Sequence, residues 1–425
     1  MNFTLGIDIG TSGVRTAILE PSRAVLSMAR AAHLPQDPEK IDATKWWGAV
    51  QACLHAQMAH LKDLGFSGQD ISGISVDGTS GSMVLCDEAL TPVSPALMYN
   101  SKGFDAEAEL IARACPSADH ITLGSNSALG RAMRLTKLAT SQPKFLLHQA
   151  DYILAKLQGV AGVCDHNNAL KTGFDPEMAD WPSWIASVID PTLLPDVVPV
   201  GTELGTLSPQ IAQAFGLNPN AKVYAGTTDS IAAFLAAAPM SLGAAVTSIG
   251  STLAVKVLSD TRIDVPAQGL YSHKVGEYWL VGGASNTGGA VLAKFFSGDE
   301  LEALSAQIDP MMPMDLGYYP LLQPGERFPI NDPHKAPVLE PRPNSNAEFL
   351  QGLFEGIARI EAQAYALIER EGGPKPASLT TAGGAARNQV FTQIRERHLG
   401  LTCSQADETE AAVGAAKIPL MGSPL

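Results

Sequence analysis

The segment Asp8-Ile9-Gly10-Thr11-Ser12-Gly13-Val14-Arg15 brings together an acid, a glycine turn with two hydroxyls, and a cation. Glycines let a backbone approach a phosphate, whose oxygens then accept from amide and hydroxyl groups. An acid at a strand end suits Mg²⁺, which keeps several waters and takes few carboxylates. Arg15 is a charge partner for phosphate. An ordinary hairpin with an exposed acid uses the same residues, so this segment alone leaves both readings open. Gly250-Ser251-Thr252 repeats the turn chemistry in the second half of the chain. In Thr227-Thr228-Asp229-Ser230 an acid stands where a helix begins. Such an Asp is either a cap or a base taking a proton from a substrate hydroxyl beside a transferred phosphoryl group. Gly383-Gly384-Ala385-Ala386-Arg387-Asn388 is small enough for a flat aromatic ring to lie on the backbone, and equally suits tight helix–strand packing.

These segments need elements to hold them. Phe3 to Ile9 reads as a buried strand, and Val14 to Leu19 resumes extended structure, which predicts a hairpin at the first turn. The P-loop and dinucleotide fingerprints, which open a helix, are missing there. Ala43 to Leu64 reads as a helix. Ile71 to Val76 reads as a strand ending at Asp77-Gly78-Thr79-Ser80-Gly81, and Met83 to Leu85 extends again. The stretch 105–235 reads as mainly helical, with Pro-rich surface connections over 191–209. Val223 to Thr227 is a strand, and Asp229 opens an Ala-rich helix from Ser230 to Ala237. Pro239 to Gly243 is the expected domain boundary. Beyond it, Ala245 to Ile249, Leu253 to Leu258, Tyr278 to Val281 and Leu379 to Thr381 read as strands. Glu348 to Glu371, Gln389 to Leu399 and 409–421 read as helices, and 310–343 is poorly periodic. Both halves open with strand, Gly-Thr/Ser turn and strand, and close with a small-residue helix. This weak repeat predicts two related domains with a phosphate-binding cleft.

The chain has 425 residues, enough for two or three domains at roughly 100–200 residues each. Hydrophobic residues make up 45% and charged residues 17%, a globular composition. The net charge of −14 disfavours nucleic acid and anionic membrane surfaces as partners. It leaves room for one small anion held locally. The five scattered cysteines fit a reducing cytoplasm without disulfides or a zinc ribbon. No apolar run reads as a membrane span, and the N-terminus lacks a signal-peptide pattern. The histidines show no metal-ligand spacing. Trp46-Trp47 reads as core or interface, Cys164 as a buried inert thiol, and His166-Asn167-Asn168 as a sugar border or a plain loop.

In order and spacing, GIDIGTSGVRTAI, AGTTDSIAAF, TSIGSTLAVKV and TTAGGAARNQVFTQI resemble four segments of the FGGY carbohydrate kinase family. These are the first phosphate loop, the catalytic-aspartate segment, the second phosphate loop and the adenosine segment. The resemblance runs over nearly the whole chain. SVDGTSGSMVLCDEALTPVSPALMYN, CDHNNALKTGFD, GLYSHKVGEYWLVGGASNTGGAVL and YYPLLQPGERFPINDP resemble the cyanobacterial and plant-plastid group described as D-ribulose kinases. The Met-His pair of xylulokinases is replaced by Thr79, Ser80 and Gly81.

The resemblance implies an α/β fold of two actin-like, ribonuclease H-like ATPase domains, 1–240 and 241–425, flanking a cleft that closes about 238–244. It implies ATP and Mg²⁺, with Asp8 on the metal, and Gly10, Thr11, Ser12 and Arg15 around phosphate. Asp77, Thr79, Ser80, Gly81 and Asn100 would line the sugar pocket, with Asp229 as general base. Gly250, Ser251 and Thr252 would form the second phosphate loop, and Asn286, Gly383, Gly384, Ala385 and Asn388 would lie near the nucleotide. The implied reaction converts D-ribulose to D-ribulose 5-phosphate. D-xylulose or another polyol or ketose is the alternative, and a non-catalytic sugar or nucleotide sensor is a reading of another class. The expected partners are the sugar and ATP, and both monomer and homodimer stay open.

Overall fold

A computed structural model describes residues 1–37 and 41–425. By packing, the chain divides into two compact units, Met1–Ala236 with Glu410–Leu425, and Ala237–Thr409. In the first unit β1 (Phe3–Ile9) is buried at every residue, because strands flank both of its edges. β2 (Gly13–Leu19) pairs with it antiparallel, and β3 (Val25–Ala32) pairs antiparallel with β2. Helix α1 (Thr44–Asp63) leads to β4 (Ile71–Gly78), which lies parallel to β1 on its other edge. An excursion follows through β5 (Met83–Cys86), α2 (Asp105–Ala114), α3 (Ala128–Leu138), β6 (Phe145–His148), α4 (Gln149–Gln158), β7 (Val163–Asp165), α5 (His166–Thr172) and β8 (Asp196–Val198). β9 (Glu203–Thr206), α6 (Pro209–Phe215), β10 (Lys222–Thr228) and α7 (Asp229–Ala237) complete this run. The sheet order is β3-β2-β1-β4-β10-β9.

The second unit repeats the plan. β11 (Ala244–Ile249) is antiparallel to β12 (Leu253–Ser259), then come β13 (Tyr271–Val275), β14 (Tyr278–Ser285), α8 (Gly289–Phe295) and α9 (Gly298–Ser305). After the irregular 306–345 stretch, α10 (Asn346–Arg370) leads to β15 (Ser378–Ala382), which lies parallel to β11. α11 (Gln389–Leu399) and β16 (Cys403–Gln405) follow, and the order is β13-β14-β12-β11-β15-β16. A buried ion pair ties this sheet to its helices. Arg395 on α11 grips Glu361 on α10 through Nε at 2.7 Å and Nη2 at 2.8 Å, both side chains fully buried. Its Nη1 donates to Thr381 Oγ1 on β15 at 2.9 Å, and Glu361 accepts from Thr247 Oγ1 on β11 at 2.6 Å. With all three guanidinium nitrogens and both carboxylate oxygens engaged, the pair is strongly destabilising to break from one side only.

The final helix α12 (Ala411–Lys417) lies in sequence within the expected domain 241–425, and it packs on β1, β2 and α7 of the first unit. Small residues make this possible. A Cβ on Gly6 would lie 2.0 Å from Ala412 O, and one on Gly414 would lie 1.7 Å from Ala232 O. Thr4 Oγ1 donates to Ala416 O at 2.7 Å, sealing the same contact. Two readings change. The stretch 105–235 is less helical than expected, because four strands of three or four residues (β6 to β9) fall below any periodicity window. β3 and β13 also carry no continuous apolar run. Trp46 is core, edge-on to Tyr152 at 6.2 Å. Among the described residues no helix is long and apolar enough to cross a membrane.

Two glycines should therefore respond oppositely to one added methyl. Gly414→Ala should cost about 1–3 kcal/mol, a melting drop of several degrees. Gly48, inside α1 with nothing within 4 Å of a Cβ, should gain about 0.5–1 kcal/mol on replacement by Ala. Thermal scans of both variants check the pair. A Gly414→Ala protein as stable as its parent would refute the close backbone approach.

Candidate active site

The parallel register of β1 and β4 sets Asp8 directly beside Asp77. Asp77 in turn pairs with Thr227 on β10, two residues before Asp229 at the first turn of α7. Three acids thus meet at one end of the sheet, where Asp8 is 4% exposed and Asp77 fully buried. Burial raises Asp77 well above the usual carboxylate range, and the charges of Asp8 and Asp229 raise it further. Neither Asp77 oxygen accepts from a protein donor. A buried carboxyl with no donor and two acidic neighbours favours its protonated form, and the titration of Asp77 is linked to that of Asp8. Burial also raises Asp8, while the Asp77 hydrogen bond and Arg15 pull it back. Arg15 Nη1 lies 3.3 Å from Asp8 Oδ2, and its Nε lies 3.1 Å from Glu410 Oε2. Asp229 lies inside the first helical turn, not at the capping position before it, and its Oδ1 accepts the Ser230 amide at 2.6 Å.

The first turn is a true hairpin. Gly10 N donates to Gly13 O at 2.9 Å, and Thr11 and Ser12 are exposed. Gly13 must be glycine, since a Cβ would lie 2.3 Å from Ala31 O on β3. His33, unremarked in the sequence, holds the turn: a ring nitrogen lies 2.9 Å from Gly10 O, and its amide donates to Ser12 O at 3.1 Å.

The 79–82 loop follows Asp77 directly. The Thr79 amide donates to Gln149 Oε1 at 3.0 Å, and its hydroxyl bonds Gln149 Oε1 and Ser82 Oγ, each at 2.6 Å. The Thr79 hydroxyl is therefore spent inside the protein. Ser80 Oγ is buried with no protein partner, and so it is the loop hydroxyl left for a ligand. Gly81 takes φ +80° and offers its carbonyl to Arg131 Nε at 2.9 Å. Asn100 is exposed. Gln149 and Arg131 were missed by sequence reasoning. Arg131 carried a signal, a cation on the apolar face of the helix that became α3. His166, Asn167 and Asn168 form the first turn of α5 instead of a loop, capped by Asp165. Cys164 is buried, and burial pushes its thiol well up.

In the second unit, Gly250, Ser251 and Thr252 form an exposed turn. Gly289 N donates to Gly250 O at 2.8 Å and Ala290 N to Ser251 O at 3.1 Å, so the start of α8 braces it. Gly383, at φ +91°, lies against the same place: a Cβ there would sit 2.5 Å from Ile249 O. Beside this junction is a cavity of about 760 Å³ lined by Gly250, Gly384, Ala385, Asn388, Ser305 and Phe354 among others. Asn388 Nδ2 donates to Ser305 Oγ at 2.7 Å. Asn286 is exposed at the end of β14. It lies outside the lining of this cavity, its backbone amide donating to Glu326 Oε1 at 2.7 Å and its Nδ2 to Gly325 O at 3.0 Å. The α9 wall, with Ser305, was not read in the sequence.

Two family models match the chain in succession. The N-terminal domain model of the FGGY family of carbohydrate kinases matches residues 3–236, and the C-terminal domain model matches 245–422. The xylulose kinase of Escherichia coli (strain K12) is 25% identical over 97% of this chain and 89% of its own length. That of Staphylococcus xylosus is 24% identical over 99% and 91%. The crystal structure of a protein described as a xyloylose kinase from Brucella ovis superposes with TM-score 0.87 at 20% identity, covering 99% of this chain and 91% of that one. At that identity the structural likeness speaks for the fold alone.

The state of Asp77 has a measurable consequence. The native protein holds a proton that the unfolded chain releases above about pH 4. Stability therefore falls as pH rises from there toward the folded pKa. Asp77→Asn keeps the shape and neutrality and removes this loss. Its melting temperature relative to wild type should climb steadily between about pH 4 and pH 8. A constant difference across that range would show Asp77 to be ionised in the native state.

Proposed function

Because the chain belongs to the FGGY family of carbohydrate kinases, we propose that it transfers the γ-phosphoryl group of ATP to a primary hydroxyl of a ketopentose, with Asp229 as general base. The observation that carries this reading is the convergence of Asp229, Asp77 and Asp8 beside an exposed glycine turn. Asp229 accepts the proton of the sugar hydroxyl. The oxygen bonds to the γ-phosphorus as the bond to the β-phosphate breaks, and ADP leaves. A neutral Asp77 keeps the acid cluster from accumulating a third charge, which favours an ionised Asp229 at neutral pH. Backbone amides of the turn at 10–13 would face phosphate in the first unit, and the 760 Å³ cavity of the second unit would take an adenosine. Mg²⁺ takes hard oxygen donors and few carboxylates, and Asp8 fits that need as its single acidic ligand. Bound there, the ion would offset phosphoryl charge.

The sequence resemblance favoured D-ribulose as the sugar. The names of the curated relatives move the reading to D-xylulose. D-ribulose stays as the second reading on one observation. Thr79, Ser80 and Gly81 stand where xylulokinases carry Met-His, and Ser80 offers a hydroxyl there.

An ADP-release panel with D-xylulose, D-ribulose, L-ribulose, ribitol and glycerol should give fastest turnover with D-xylulose, and a clear preference for another sugar overturns that choice. Asp229→Ala should retain ATP binding by calorimetry and lose about 10²–10⁴ in kcat. Retention of more than about a tenth of the activity removes Asp229 as the base. Asp8→Ala should raise the Mg²⁺ concentration needed for half-maximal rate, and an unchanged requirement counts against its metal role.

A further inference from the structure

Arg131 on α3 is a buried cation with no acidic partner among the described residues. It is 4% exposed, and burial alone accounts for the fall of its pKa to about 10. It therefore stays charged at neutral pH. Nε donates to Gly81 O at 2.9 Å, and Nη1 donates to Tyr99 O at 3.0 Å and Asn126 O at 2.9 Å. Nη2 lies over Gly81, where a Cβ would come within 2.8 Å of it. Leaving a guanidinium in the interior without a counter-ion is expensive, and an apolar side chain would fill the space at lower cost. What a guanidinium adds is a rigid planar fork of donors.

That fork holds three separate segments. One is the 79–82 loop beside Asp77. The second is the turn closed by Ser101 N to Met98 O, which carries Tyr99 and Asn100. The third is the turn closed by Ser127 N to Gly124 O, which carries Asn126. The first two are also joined directly, since Tyr99 N donates to Ser82 Oγ at 2.9 Å. Gln149 grips the 79–82 loop from its other end, through the Thr79 amide and through its own amide on Ser82 O at 2.9 Å. With both ends pinned by buried side chains, Ser80 Oγ is left as the unpartnered group between them.

We propose that Arg131 is the positioning residue of the sugar site, fixing Gly81, Tyr99 and Asn126 so that Ser80 and Asn100 meet the sugar hydroxyls at one set spacing. It acts through backbone carbonyls and touches no reacting atom. The inference rests on the reading above that the 79–81 loop faces the sugar. Lys keeps the charge but not the fork, and Met keeps the bulk but neither.

The test is steady-state kinetics of Arg131→Lys and Arg131→Met, with melting curves beside them. The expected result is a sugar KM raised at least tenfold in both, an ATP KM within twofold of wild type, and a narrowed preference between D-xylulose and D-ribulose. A sugar KM within twofold of wild type overturns the proposal, as does a parallel rise of sugar and ATP KM, which would mean general loosening. Should both variants fail to fold, hydrogen exchange of wild type decides. Segments 79–82, 98–101 and 124–127 should gain protection together when sugar is added, and protection confined to one of them overturns it. If wild type releases ADP with no sugar of the panel, the kinase reading falls and this inference with it. Wild-type turnover with unaltered variants sinks the inference alone.

Discussion

The parallel pairing of β1 with β4 is the constraint on which the first unit's chemistry depends. Parallel strands in register place side chains of equal rank abreast, and here the two side chains are Asp8 and Asp77. Two carboxyls side by side in the interior cannot both ionise at low cost. One neutral member, Asp77, relieves the conflict. The other, Asp8, reaches the edge of the turn and meets Arg15, which is itself steadied by Glu410 at the entry to α12. A one-residue slip of β4 would turn Asp77 to the opposite face of the sheet and dissolve the whole arrangement.

The second unit shows what the same scaffold does without acids. At the position two before the turn glycine, where the first unit pairs Asp8 with Asp77, it pairs Ser248 with Ala382. Small neutral groups there leave space and backbone instead of charge. The fixed charges sit one residue deeper, in the Glu361–Arg395 pair that ties Thr247 and Thr381 to the helices. That pair is fully buried and turned to its own partners, out of reach of a ligand. One unit is thus built to present carboxylates, and the other to present amides and a cavity.

Much of this was legible in the residues, and the exceptions have physical causes. β1 and α11 fell where the apolar pattern put them, because a strand buried on both faces and a helix bracketed by Asn388 and Gly400 write strong local signals. Strands of three or four residues such as β7 and β9 write none, since their pairing is decided by distant partners. The acids and glycine turns were visible because few residue types do that chemistry. Gln149 and Arg131 were not, because they act on backbone groups supplied by tertiary contact. Asn286 shows another such contact: its backbone amide is held by Glu326, forty residues away, which no local pattern announces.

The placement of α12 bears on how the protein is made. Its contacts with β1 join the two ends of the chain, as in the bond between Thr4 and Ala416, 412 residues apart. The second unit is in effect inserted into the first between α7 and α12. On the ribosome, the residues that complete the first unit are synthesised only after the whole of the second unit. Domains ordinarily fold in the order of their synthesis. Here the earlier unit must wait for α12 to be made, with β1 and β2 uncovered along the face that α12 will occupy.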